Sequence, residues 1–231
     1  LDDTGCTDAA CLEPFVRDFL KLSFRREPSE AVVADYLALF SEEDAGETLE
    51  LELQTFLAAV LSSPQFLYRR EIGKAVAGSP WRTLDGYEMA ARLSYLIWQT
   101  TPDRELLDAA KSGLLDEPSG RAEELERMLG SDLAKQGAHA FVFDWLGLFD
   151  DHIRSKSPAI LEGTSDDLPV AAKTSLELTV DDVLFADPER GKLVDLLRTD
   201  KLYANAEMAS LLDLGDAPSE GFAPLGVDTK Q

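Results

Sequence analysis

Between Leu84 and Trp98 the apolar residues Met89, Leu93, Leu96 and Ile97 return at helical spacing, and Tyr87, Tyr95 and Trp98 add bulky rings. The same rhythm runs along almost the whole chain and nowhere gives way to the alternation of a half-buried strand. A sequence so patterned is restricted to packing helices on helices. The expectation is all-α, an irregular orthogonal bundle of about nine to eleven helices.

The helix signals fall in order. Phe15, Val16, Phe19, Leu20 and Leu22 give a broad apolar face from about Leu12 to Phe24. Pro28-Ser29-Glu30 opens a second helix through Val33, Tyr36 and Phe40, and Leu49, Leu53, Phe56 and Val60 mark a third. Ser63-Pro64 breaks that helix and starts a short one, after which Gly73 to Pro80 reads as a flexible connection. Asp85 with Glu88 forms a capping box, Thr101-Pro102-Asp103 caps the next helix, and Gly113 ends it. Pro118 and Asp132 open two more. Three helical stretches follow, at 170–185, 192–197 and 205–214.

The region 155–169 is the most loop-like and is taken as the boundary between an N-terminal helical region, 1–154, and a C-terminal one, 170–214. The stretch 215–231 reads as an extended tail, cut from or continuing into a further domain.

Hydrophobic residues make up 45% of the 231, enough to exclude general disorder. Forty-four acids against 22 bases give a net charge of -22. Such a surface repels phosphate backbones and anionic bilayers, so neither nucleic acid nor a membrane surface is an expected partner. No apolar run approaches the roughly 18 residues a spanning helix needs. The chain starts at Leu1 without Met, which reads as a processed product or an excerpt, either of which leaves room for a targeting segment already removed.

Cys6 and Cys11 are the only cysteines, set in Cys-Thr-Asp-Ala-Ala-Cys. This spacing does not suit a redox pair, a haem attachment or a zinc site. A short disulfide is the expectation, and with it an oxidising, extracytoplasmic location, either periplasmic, cell-surface or secreted. Two free thiols are the alternative.

Signals for chemistry are sparse. His139 and His152 are the only histidines, thirteen residues apart and so on different turns, and His139 has no neighbouring nucleophile in sequence, so packing or solvent exposure is expected of it. Acid pairs such as Asp150-Asp151 read as solvated faces. The calcium candidates are Asp2, Asp3 and Asp8 near the cysteines and Asp150 and Asp151 after Trp145, none in an EF-hand pattern. Serine-hydrolase, phosphate-loop and dinucleotide patterns are missing. Trp81, Tyr87, Tyr95, Trp98 and Trp145 are assigned to core packing, with a carbohydrate or cofactor groove as the alternative. Arg92 is expected to pair with Glu88 one turn away or to reach an acid elsewhere, and Glu71 to pair with Arg69 or Arg70. No catalytic residue is assigned.

Several pieces together carry a likeness: Phe24-Arg25-Arg26-Glu27-Pro28, the run Ser62 to Glu71, the Leu84–Trp98 helix, Thr101 to Leu106, Trp145-Leu146-Gly147-Leu148, and Leu202 to Ala209. In their order and spacing the chain resembles an uncharacterised bacterial family, abundant in planctomycetes and myxobacteria, of large exported proteins with adjoining domains of unknown function. That resemblance implies an extracytoplasmic helical domain. It also implies company with planctomycete-type cytochrome c domains, and members that continue beyond the point matching Gln231.

The expected function is an exported acidic helical module for structure or interaction. It would scaffold a larger protein or assembly, with its own downstream segment or with copies of itself, and do no chemistry. The alternatives are an accessory part of an extracytoplasmic redox enzyme with a cytochrome c partner, and a calcium- or carbohydrate-binding domain.

Overall fold

The computed structural model describes residues 9–40, 49–147, 162–187, 191–215 and 218–227. Among these, eleven helices carry most of the chain, and two small antiparallel sheets amend the all-α expectation. The chain divides into two compact units, Leu1–Ser131 and Asp132–Gln231. The division falls ahead of the loop that sequence marked as the boundary. Its reason is that the helix opening at Asp132 packs within the second unit, through the contacts given below.

In the first unit, α1 (Ala9–Phe24), α2 (Glu30–Leu37) and α3 (Leu49–Ser62) build one apolar cluster, joined by the short α4 (Pro64–Leu67) through Phe66. Helical offsets put Leu12, Val16, Leu20 and Phe24 of α1 on one buried stripe. Phe56 of α3 is fully buried at the hub. The rings of Phe15, Phe19, Tyr36 and Phe40 surround it, with centroids 5.4 to 6.0 Å away. Ser29 caps α2 and Ser63 caps α4, with Pro64 in the first turn where its missing N–H costs nothing.

The connection expected to be flexible forms a small hairpin instead, β1 (Lys74–Ala75) with β2 (Arg82–Thr83). It leads into α5 (Gly86–Ile97), α6 (Arg104–Ser112) and, after a 3-10 turn at Leu114–Asp116, α7 (Pro118–Leu129). The buried face of α5 is Glu88, Ala90, Ala91, Leu93, Ser94 and the capping Trp98, whereas Leu96 is exposed. Small residues carry this face because α6 comes close: a Cβ on Gly86 would meet the Ala110 carbonyl oxygen at 2.7 Å. One side chain fastens the bundle's far end. Arg127 bonds Asp103 and Glu124 and lies over the Trp98 ring, while the Trp98 indole donates to the Met128 carbonyl at 3.0 Å.

The second unit contains α8 (Asp132–Leu146), α9 (Leu168–Phe185), α10 (Leu193–Leu196), β3 (Lys201–Ala204), α11 (Ala206–Leu211) and β4 (Ala223–Gly226). Leu168, Ala171, Ala204, Met208 and Ala209 form its cluster, covered by Phe222 and Leu225. The expected tail therefore supplies a closing strand: β4 pairs antiparallel with β3, Leu202 opposite Leu225. Neither strand alternates clearly in the sequence, since β3 is only four residues long and β4 contains Pro224. Thr179 of α9 bridges helix and sheet, donating to the Ser175 carbonyl and accepting from the Tyr203 N–H at 3.1 Å.

Candidate interaction site

Three of the sequence pieces singled out above meet in the first unit. α1 ends in a Schellman turn in which the Arg26 N–H reaches the Lys21 carbonyl, and Arg25 takes the left-handed conformation, φ 58°. Glycine would adopt this turn at lower cost, so an arginine here has a side chain to place. That side chain is 6% exposed, and its Nη2 donates to the carbonyls of Gln65, Phe66 and Tyr68 at 2.8, 3.0 and 3.1 Å. Arg26 pairs with Asp85 at 2.8 Å and lies against the Tyr87 ring.

Glu88 has two tasks. One carboxylate oxygen closes the capping box on the Asp85 N–H at 3.0 Å, and the other takes the Ile72 N–H at 2.8 Å, with Gly73 donating to both. Burial pushes its carboxyl up, but the backbone N–H groups of Asp85, Gly73 and Ile72 outweigh that and hold it below the usual range. Arg92 does not pair with Glu88. It forms a forked ion pair with Glu71, which holds the Glu71 carboxyl low, while Arg69 lies over Tyr95 at 4.7 Å rather than on Glu71. Arg82 adds bonds to the Ile72 and Gly73 carbonyls.

These bonds fix a segment that leaves apolar side chains in solvent. Leu67, Tyr68, Ile72, Val76 and Trp81 are all exposed, Trp81 by 79%. Arg69, Arg70, Lys74 and Arg82 stand among them with Glu71 as the one acid, in a chain where acids outnumber bases twofold. Beside this face lies a cleft of about 30 Å³ whose lining includes Arg25, Arg26, Arg70, Tyr68, Tyr87 and Glu88. The sequence signal that marks this region is four cations within residues 69–82, of which sequence reasoning pairs Arg69 and Arg70 with Glu71 and assigns nothing to Lys74 and Arg82.

Of the aromatic residues assigned to the core, Trp98 is buried, Trp81 is not, and Trp145 is half-exposed with Phe141 stacked 6.0 Å away. In the second unit, His139 of α8 bonds Asp181 of α9, Nε2 to Oδ1 at 2.8 Å, a partner its local sequence does not show. No hydroxyl or thiol among the described residues completes a nucleophilic set with this pair. Asp2, Asp3, Asp8, Asp150, Asp151, His152 and the Cys6 and Cys11 thiols lie outside the described residues, and so do the calcium and disulfide expectations placed on them. Among the described residues no three His, Cys, Asp or Glu side chains are grouped to hold a metal. No helix among them is long and apolar enough to cross a membrane.

The described residues form a mostly helical protein with an exposed segment, 67–82, that carries apolar and basic side chains. Residues 84–214 match the PSD4 family, described as a protein of unknown function (DUF1592), and residues 11–71 match PSD5, a protein of unknown function (DUF1595). The chain belongs to the DUF1592 family, with a DUF1595 region ahead of it. It matches no curated protein and no solved structure.

Proposed function

We propose that this chain is an exported scaffold module that works by association, with a second copy of itself as the partner on the Leu67–Thr83 face. The observation that carries this reading is the exposure of Leu67, Tyr68, Ile72, Val76 and Trp81 on a segment held in place by the part-buried bonds of Arg25 and Glu88. Side chains of this kind, Trp, Tyr and Arg above all, dominate binding energy at protein interfaces. A segment already ordered loses little further freedom on docking. Charge selects the partner: a basic face in a chain of net charge -22 is complementary to the acidic surface of another copy.

Light scattering on the eluting protein across a concentration series tests this. The expected result is a mass that rises with concentration in the wild type and stays monomeric in Trp81→Ser. A strictly monomeric wild type overturns the reading, and so does association that Trp81→Ser leaves unchanged. Export is proposed from the cysteine pair and the family resemblance, and alkylation of the natively produced protein tests it.

A further inference from the structure

We infer that the cleft beside this face is a carboxylate-binding site, a seat for an Asp or Glu side chain presented by an acidic segment of another chain. The inference deepens the association reading and rests on it for the source of the carboxylate. Its own grounds are in the lining.

Arg25 is nine-tenths buried, yet no carboxylate among the described residues lies within ion-pair distance of it. Its Nη2 is satisfied by three carbonyls, while Nε and Nη1 have no protein acceptor among the described residues. Carbonyl dipoles satisfy hydrogen bonds but do not neutralise a charge withdrawn from water. Arg70, on the rim, makes no hydrogen bond or ion pair with any described residue. Arg26 adds a third guanidinium, already paired with Asp85. Against these cations the lining holds one carboxylate, Glu88, whose two oxygens are occupied by the N–H groups of Ile72, Gly73 and Asp85. Burial raises the Tyr87 phenol, which keeps it neutral and adds no negative charge.

Size narrows the class. A volume of about 30 Å³ suits a small head group such as a carboxylate and falls far short of the roughly 300 Å³ or more of a pocket that encloses a drug-sized ligand. The ligand is therefore a group carried on something larger. A free guanidinium fork beside a second, buried one suits a planar carboxylate.

The test is calorimetric titration of the full chain with an acetylated, amidated peptide of sequence Glu42-Glu43-Asp44-Ala45-Gly46-Glu47, at fixed ionic strength. Its Gln/Asn counterpart, acetate and inorganic phosphate form the other arms. Arg70→Gln is the diagnostic variant, since Arg70 is exposed and unpaired, and Lys74→Gln is the control for nonspecific charge. The expected result is binding of the acidic peptide, none of its amide counterpart, and about a tenfold or greater loss in Arg70→Gln but not in Lys74→Gln. Acetate should compete with the peptide and phosphate should not.

Equal binding of the two peptides, equal losses in the two variants, no binding at all, or phosphate binding in place of the peptide each overturn the site. The association reading is judged separately by the Trp81→Ser mass series, so either result can fail while the other stands.

Discussion

Glu88 is the residue on which most of the local order depends. Its role at the start of α5 is legible in sequence, since Asp85 and Glu88 have capping-box spacing. Its hold on Ile72 and Gly73 is not, because those donors lie across a hairpin with too few residues to show alternation. Arg92 shows the same limit: helical spacing offers Glu88, and only the folded chain shows that backbone N–H groups have taken that carboxylate and left Arg92 for Glu71. Glu88→Ala leaves buried donors without acceptors and should destabilise the first unit by about 1–3 kcal/mol, read by urea unfolding.

A pH effect follows from the same carboxylates. The Arg104 guanidinium holds the Asp18 carboxyl low, Arg92 does so for Glu71, and backbone donors do so for Glu88 against its burial. A carboxyl lower in the folded than in the unfolded state adds stability that is complete above the unfolded value, about 4, and is lost as pH falls through the folded values. Melting temperature should therefore be insensitive to these groups between about pH 7 and 5 and fall below about pH 4. Glu88→Gln should shallow that fall; an identical acid limb in the variant would remove Glu88 from the account.

At the level of elements, the aromatic hub of α1 to α3 was readable because large apolar residues mark a helical face unambiguously. Phe56→Ala should cost about 3–5 kcal/mol, measured by chemical denaturation with loss of near-ultraviolet dichroism. Leu96 shares the helical spacing of Met89, Leu93 and Ile97 yet is exposed, because the buried face of α5 includes Ala90, Ala91 and Ser94, which carry little hydropathy, and closeness to α6 cannot be seen in one helix alone. Gly86 reports that closeness. Gly86→Ala, an otherwise helix-favouring change, should destabilise by about 1–3 kcal/mol, and a stabilised variant would mean that α5 and α6 separate at no cost. The β3–β4 pair escaped the sequence for a simpler reason: a strand of four residues is shorter than the window in which periodicity shows.

At the scale of the molecule, net charge was plain in the composition, but the concentration of cations at 69–82 needed the fold to acquire meaning. Association through that face should respond to the charge itself. Replacing Arg82 with Glu reverses charge beside Trp81 and should abolish the concentration-dependent mass expected in light scattering. The proposed Cys6–Cys11 bridge, closing a short loop, contributes roughly 2–3 kcal/mol before strain, and intact mass after alkylation without reductant decides whether it forms.

The division between the two compact units carries a consequence for where this chain can be cut. The matched region 84–214 begins inside the first unit and ends inside the second, so it is not a body that stands by itself. A recombination event that moved it alone would strand Asp85 without Arg26, Arg92 without Glu71, and Glu88 without the amides of Ile72 and Gly73. Cutting this chain at Leu84 would therefore remove those partners, whereas a cut at Ser131 follows the division between the compact units.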